Sequence, residues 1–139
     1  MLASLQEGLN IGNEASFMAG SFLAGGVARG GETCGALTGA LMALGMVAGR
    51  RKMEDVDTYK SSIKLGCEAR DRFLERVGHT MCSEIHKILL GRTYHLSDGE
   101  ERKMFHEAGG HSRDACPGVC GKAARIAAEI ILREREKIA

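Results

Sequence analysis

The sequence predicts an all-α fold, a compact bundle of about five helices with a glycine- and alanine-rich central helix pair. Three observations carry this. A single proline, Pro117, interrupts 139 residues. No stretch sustains the period-two alternation of a half-buried strand. Apolar residues instead recur at three- and four-residue intervals, which line one face of a helix. Hydrophobic residues make up 44% of the chain but aromatics only 4%, and Trp is absent, so the core must be aliphatic. A chain of this length buries a core without disulfides, and residues 1–139 are expected to form one domain.

The first helix is expected over Asn13–Ala28, capped by Asn13 with Glu14 in its positive first turn. The clustered glycines of GGVARGG end it. The second runs from Thr33 to Val47, with Gly49 as C-cap and the cations of GRRK at its negative end. The third runs from Met53 to Val77, with an apolar stripe of Tyr59, Ile63, Cys67, Leu74 and Val77 and a charged opposite face. Gly78 ends it. The fourth, Met81–Leu90, has Thr80 as its cap and Gly91 at its close. A short helix follows in DGEERKMFHEA, where Ser97 opens a capping-box pattern. The last begins near Pro117, which suits a first turn, and runs to Lys137. Its stripe is Val119, Ala123, Ile126, Ala127, Ile130 and Ile131.

Thr33 to Gly49 carries no charge over 17 residues. A membrane span needs ~20 apolar residues, and no Trp or Tyr flanks this segment as an interface anchor. A buried helix pair is the better reading, so no membrane span is expected. Gly35, Gly39 and Ala43 recur every fourth position beside Ala36 and Ala40. They leave a flat face that another backbone can approach closely. Glycine costs about 1 kcal/mol against alanine inside a helix. A close neighbour is therefore implied, either the first helix or the same helix of a second subunit.

Formal net charge is +1, and no basic patch is interleaved with aromatics. Nucleic acid and anionic membrane are therefore not expected partners. The start, MLASLQEGLNIGNEAS, has no basic head and reaches Glu7 and Glu14 without a long apolar run, so no secretory signal is seen and a cytoplasmic location is expected. In a reducing compartment, the five cysteines point to metal binding or redox work rather than a disulfide framework.

Cys34, Cys82 and Cys116 share a setting, each in the predicted first turn of a helix. Unpaired N–H groups and the macrodipole favour negative charge there, so lowered thiol pKa values are expected. Cys120 lies one turn after Cys116, making CPGVC a bidentate ligand pair or a vicinal dithiol, but not a Cys-x-x-Cys motif. Cys67, mid-helix on the apolar stripe, is read as a core residue. His79, Cys82 and His86 are spaced to share a helical face, and with Cys116 or Cys120 they offer an alternative, zinc-type ligand set. The plainer reading of the two histidines is a surface pair. No Cys-x-x-Cys-His is present, so no haem is expected. No hydrolase triad signature, P-loop or dinucleotide fingerprint appears. Charged runs such as EARDRFLER and REREK read as solvated helix faces.

Three blocks together resemble a known family: GGVARGGETCGALTGALMALG from Gly25 to Gly45, CSEIHKILLG from Cys82 to Gly91, and CPGVCGKAARIAAEI from Cys116. They are similar to the redox-active proteins named for a Cys, Gly-Cys-Ala-x-x-Gly, Cys, Cys pattern, related to the split-Soret cytochromes. The resemblance runs from about Asn13 onward. It matches Cys34 to the central cysteine, Cys82 to the next and Cys116 to the last. It implies an iron–sulfur cluster on this cysteine set. Two departures stand out. The order here is Thr33-Cys34-Gly35-Ala36, so the central motif matches by position rather than literally. The family's first cysteine is expected in a helix ahead of Met1, which leaves Cys120, or a ligand from a second subunit, to complete a four-cysteine site.

The leading expectation is thus one-electron transfer through an iron–sulfur centre held by Cys34, Cys82, Cys116 and Cys120, with zinc as the alternative metal. Such a protein would be a homo-oligomer serving an unknown redox partner. A second expectation is metal-free thiol–disulfide redox, with Cys34 or Cys116 as the reactive thiol. A third is an α-helical binding or assembly module whose cysteines are merely buried.

Overall fold

The computed structural model describes residues 1–137, so the last two residues of the expected domain lie outside it. The fold is all-α. Among the described residues seven α-helices form: α1 (Leu2–Leu9), α2 (Glu14–Ala19), α3 (Gly35–Ala48), α4 (Val56–Val77), α5 (Cys82–Leu90), α6 (Gly99–Glu107) and α7 (Cys116–Glu136). A 3₁₀ turn, Ser21–Leu23, follows α2. Helix α3 sits at the centre and packs against α7, α4 and α1. None of these helices is long and apolar enough to cross a membrane.

The strongest periodic signal holds in full. All six residues of the stripe expected on the last helix are buried on α7. They meet Ala36, Leu37, Ala40, Ala43 and Leu44 of α3 in one aliphatic core. Outside the core, Arg133 of α7 donates to both carboxylate oxygens of Glu68 on α4, at 2.9 and 2.7 Å. The glycine C-caps at Gly78 and Gly91 are both left-handed. Asn13 caps α2, with its side chain accepting from the Ser16 amide while Ser16 accepts from the Asn13 amide. The α6 cap is Asp98, which accepts from the Glu101 amide, not Ser97. Helix α5 begins after Met81 with no side-chain cap, so Thr80 does not serve as one.

Three expectations are corrected. Helix α1 was not anticipated. The helix expected to reach Ala28 stops at Ala19, and the chain then turns left-handed. Gly25, Gly26, Val27, Ala28 and Arg29 have φ of 66, 69, 56, 49 and 68°. This conformation costs non-glycine residues roughly 1–2 kcal/mol each, and Val27 is β-branched. The turn closes on itself, with Val27 N–H donating to Leu23 O (3.1 Å) and Arg29 N–H to Ala24 O (3.0 Å). Third, most of the apolar stripe of α4 does not enter the core. Of it only Val77 is buried; Tyr59, Ile63, Cys67 and Leu74 are exposed, and Ala69 and Phe73 are the other core residues of α4.

The flat face of α3 has two different neighbours. A Cβ on Gly35 would strike the Leu23 carbonyl, and one on Gly39 would strike the Met1 side chain. The close neighbours there are the 3₁₀ turn and the start of α1. Farther along, nothing lies within 4 Å of a Cβ built on Gly45.

Candidate thiol centre

The left-handed turn brings the starts of α3 and α5 together. After it, Cys34 N–H donates to Thr80 O (2.8 Å), Cys82 N–H to Glu32 O (2.7 Å) and Ser83 N–H to Gly31 O (3.0 Å). An isolated bridge joins Thr33 and Met81. Gly26 is required at this crossing, because a Cβ there would lie 2.6 Å from the Cys82 Cβ. Cys34 is the N-cap residue of α3, and Cys82 and Cys116 are the first residues of α5 and α7. Pro117 follows Cys116 within the first turn of α7.

These helix starts line a half-open cavity of about 350 Å³. Cys34, Cys82, Cys116 and Cys120 all line it, with His86 and His111. The remaining wall is mostly apolar and includes Leu2, Leu23, Ile85, Phe105 and Val119. No Lys or Arg contributes to it. Cys34 and Cys82 are buried, while Cys116 and Cys120 are partly buried.

Burial overrides the helix-start effect expected for the thiols. It pushes the Cys34 thiol up, although the amides of Ala36 and Leu37 pull the other way. Burial, with the nearby sulfurs of Cys34 and Cys116, pushes Cys82 up to about 12. Burial, with Cys34 and Cys120, pushes Cys116 up to about 11. Each sulfur opposes ionisation of its neighbours, and no cation offsets them. These are neutral thiols at neutral pH, weak as free nucleophiles.

His86 is 1% exposed and lies one turn after Cys82, with Nε2 3.5 Å from the Cys82 sulfur. Its ring packs against Phe105 (centroids 4.8 Å apart) and Tyr94 (6.2 Å). Burial lowers its pKa, keeping it neutral, while the Tyr94 main chain works weakly the other way. Nδ1 has no hydrogen-bond partner among the described residues. A buried polar atom left unpaired is rare and calls for a reason.

The other sequence candidates divide. His79 does not line the cavity; its Nδ1 accepts from the Met81 amide at 3.0 Å. Cys67 is exposed on α4, so its reading as a core residue is wrong. His111 and Phe105 were missed. The signal for them was AGGH, since a Cβ on Gly110 would collide with the Phe105 ring and His111 packs edge-on to that ring at 5.2 Å.

Among the described residues all five cysteines are free. No three Cys, His, Asp or Glu groups among them are placed closely enough to hold a metal ion as they stand. The donor chemistry nonetheless suits a thiophilic metal: four cysteine sulfurs and two imidazoles line one space with no Lys or Arg among the described residues. A coordinating thiol is deprotonated outright by its metal, which supplies the positive charge this cavity lacks.

A family described as "Putative redox-active protein (C_GCAxxG_C_C)" matches residues 1–130. The match takes in α1, which carries no cysteine. No curated protein and no solved structure matches the chain.

Proposed function

The chain belongs to the redox-active C_GCAxxG_C_C family, and from that premise we propose that its thiol cavity is the redox centre, with Cys34, Cys82, Cys116 and Cys120 holding an iron–sulfur cluster. One observation carries this reading: four cysteine sulfurs from the starts of three helices line a single, largely apolar cavity with no Lys or Arg among its described lining. A bound cluster supplies one-electron transfer. The chain's own residues do the rest. The amides of Ala36 and Leu37 at the start of α3 direct partial positive charge at the Cys34 sulfur. Leu2, Leu23 and Phe105 keep water away, which holds down exchange with solvent. His86 Nε2 is in reach of the proton that Cys82 gives up on ligation.

A second reading, metal-free thiol–disulfide redox, is favoured by the absence of a converged ligand set among the described residues. In that reaction two cavity thiols form a disulfide, and two electrons and two protons pass to an oxidised partner. The raised thiol pKa values weigh against it, because the attacking species is the thiolate.

Purification without oxygen, followed by assays of iron, zinc, acid-labile sulfide and the visible spectrum, separates the readings. Iron and sulfide that are lost in Cys82→Ser and Cys116→Ser support the cluster. A metal-free protein that loses two titratable thiols on oxidation supports the second reading. Zinc without sulfide, or thiols inert under both treatments, overturns both.

A further inference from the structure

Among the described residues the apolar stripe of α4 is largely uncovered; the Arg50 guanidinium lies over the Tyr59 ring, 4.7 Å from its centre. Tyr59, Ile63 and Leu74 are 45%, 47% and 45% exposed, and Cys67 lies exposed between them. A groove of about 440 Å³ runs beside the stripe, between α3 and α4. Its α3 wall includes Gly45, where a Cβ would meet nothing within 4 Å. A helix with two apolar faces, one in the core and one outside, has surface suited to a partner.

Charge identifies the partner. Lys60, Lys64, Asp71 and Glu75 lie on one edge of this stripe by helical spacing, the lysines toward the N-terminal end and the acids toward the C-terminal end. Laid antiparallel on itself about an axis between positions 67 and 68, this edge sets Lys60 against Glu75 and Lys64 against Asp71. Lys64 and Glu75 form no ion pair among the described residues. Asp71 is engaged only by the neighbouring Arg70, and Lys60 only by Asp57 at 4.0 Å, both pairs exposed and hence weak. A pattern that complements itself under a two-fold axis is what an isologous interface requires.

We propose that this chain forms a two-fold homodimer in which α4 packs antiparallel on α4 of a second copy. Ile63 then interleaves with Arg70 and Leu74 of the second copy. Gly66 and Cys67, both small, sit at the crossing and let the helices approach closely. The inference does not depend on whether the thiol cavity holds a metal.

The test is size-exclusion chromatography with light scattering on the full, reduced chain. The wild type is expected to be dimeric at micromolar concentration. Lys64→Glu and Asp71→Lys each turn two symmetric attractions into repulsions and should weaken association by about tenfold or more. The double variant restores self-complementarity and should restore the dimer. Unchanged circular dichroism spectra establish that these exposed substitutions leave the fold intact. Diamide, which accepts two electrons and two protons, should link wild-type chains through Cys67. Cys67→Ser should abolish the link and keep the non-covalent dimer. A monomeric wild type, a dimer indifferent to Lys64→Glu, a double variant that stays weakened, or a cross-link that survives Cys67→Ser each overturns the proposal.

Discussion

Cys82 and His86 stand one turn apart on α5, both buried, with Nε2 facing sulfur and Nδ1 without a hydrogen-bond partner among the described residues. An imidazole held this way is a poor stabiliser, because its unpaired nitrogen forgoes the hydrogen bonds that water would give. Replacing both polar interests by an apolar side chain of similar volume should therefore be close to neutral. We expect His86→Leu to leave the metal-free protein within about 1 kcal/mol of wild type in urea unfolding. A loss well beyond that would make His86 a structural residue. The thiols give a second expectation at this scale. Cys82 and Cys116 titrate near 12 and 11 in the folded chain, against an ordinary value of 9.0. Each loses its proton more readily when unfolded, so unfolding releases protons above that ordinary value. The stability of the reduced, metal-free protein should be complete below it and decline as pH rises from there toward the folded values. The slope should be up to about 1.4 kcal/mol per pH unit for each thiol. Urea midpoints measured across the alkaline range check this, and Cys82→Ser should flatten the slope.

Among the elements, the left-handed turn between α2 and α3 carries the most strain and the most positional information. The Gly31 and Glu32 carbonyls just after it fix the start of α5, and Gly26 within it comes against the Cys82 side chain. Alanine there faces both a positive φ and a would-be contact of 2.7 Å with the Glu32 carbonyl. We expect Gly26→Ala to destabilise by about 2–3 kcal/mol, with an increase in cavity-thiol labelling by iodoacetamide. Gly121, exposed in α7 with nothing within 4 Å, is the contrast; alanine there should add up to about 1 kcal/mol to the melting free energy. The same elements mark what the sequence could reveal. Helix α7 was legible because six strongly periodic positions all point one way. The turn was not, because Val27, Ala28 and Arg29 prefer right-handed conformations, and only the hydrogen bonds around them hold them otherwise. The stripe of α4 misled because Tyr59, Ile63 and Leu74 look more apolar than Ala69, yet it is the face with Ala69, Phe73 and Val77 that enters the core.

At the scale of the whole molecule, the order of the cysteines along the chain was enough to suggest that three helix starts meet. Their burial was not legible, and burial reverses the expected sign of the thiol shifts: helix-start amides that would lower a pKa at the surface are outweighed inside an apolar wall. The cavity thus couples folding to whatever binds it, since α3, α5 and α7 must be docked for the four sulfurs to share one space. A ligand that binds only the folded chain stabilises it by about 2.7 kcal/mol when present at about a hundred times its dissociation constant. For a chain of this size that is a rise of roughly 5–10 °C in melting temperature. Anaerobic reconstitution with ferrous iron and sulfide should therefore raise the melting temperature by that order. Cys34→Ser, Cys82→Ser, Cys116→Ser and Cys120→Ser should each reduce or abolish the rise, whatever they do to the metal-free baseline. Cys67→Ser, on the exposed face of α4, should keep it. An equal rise in all five variants would mean that iron binds elsewhere, and no rise in the wild type would leave the cavity as a site of thiol chemistry alone.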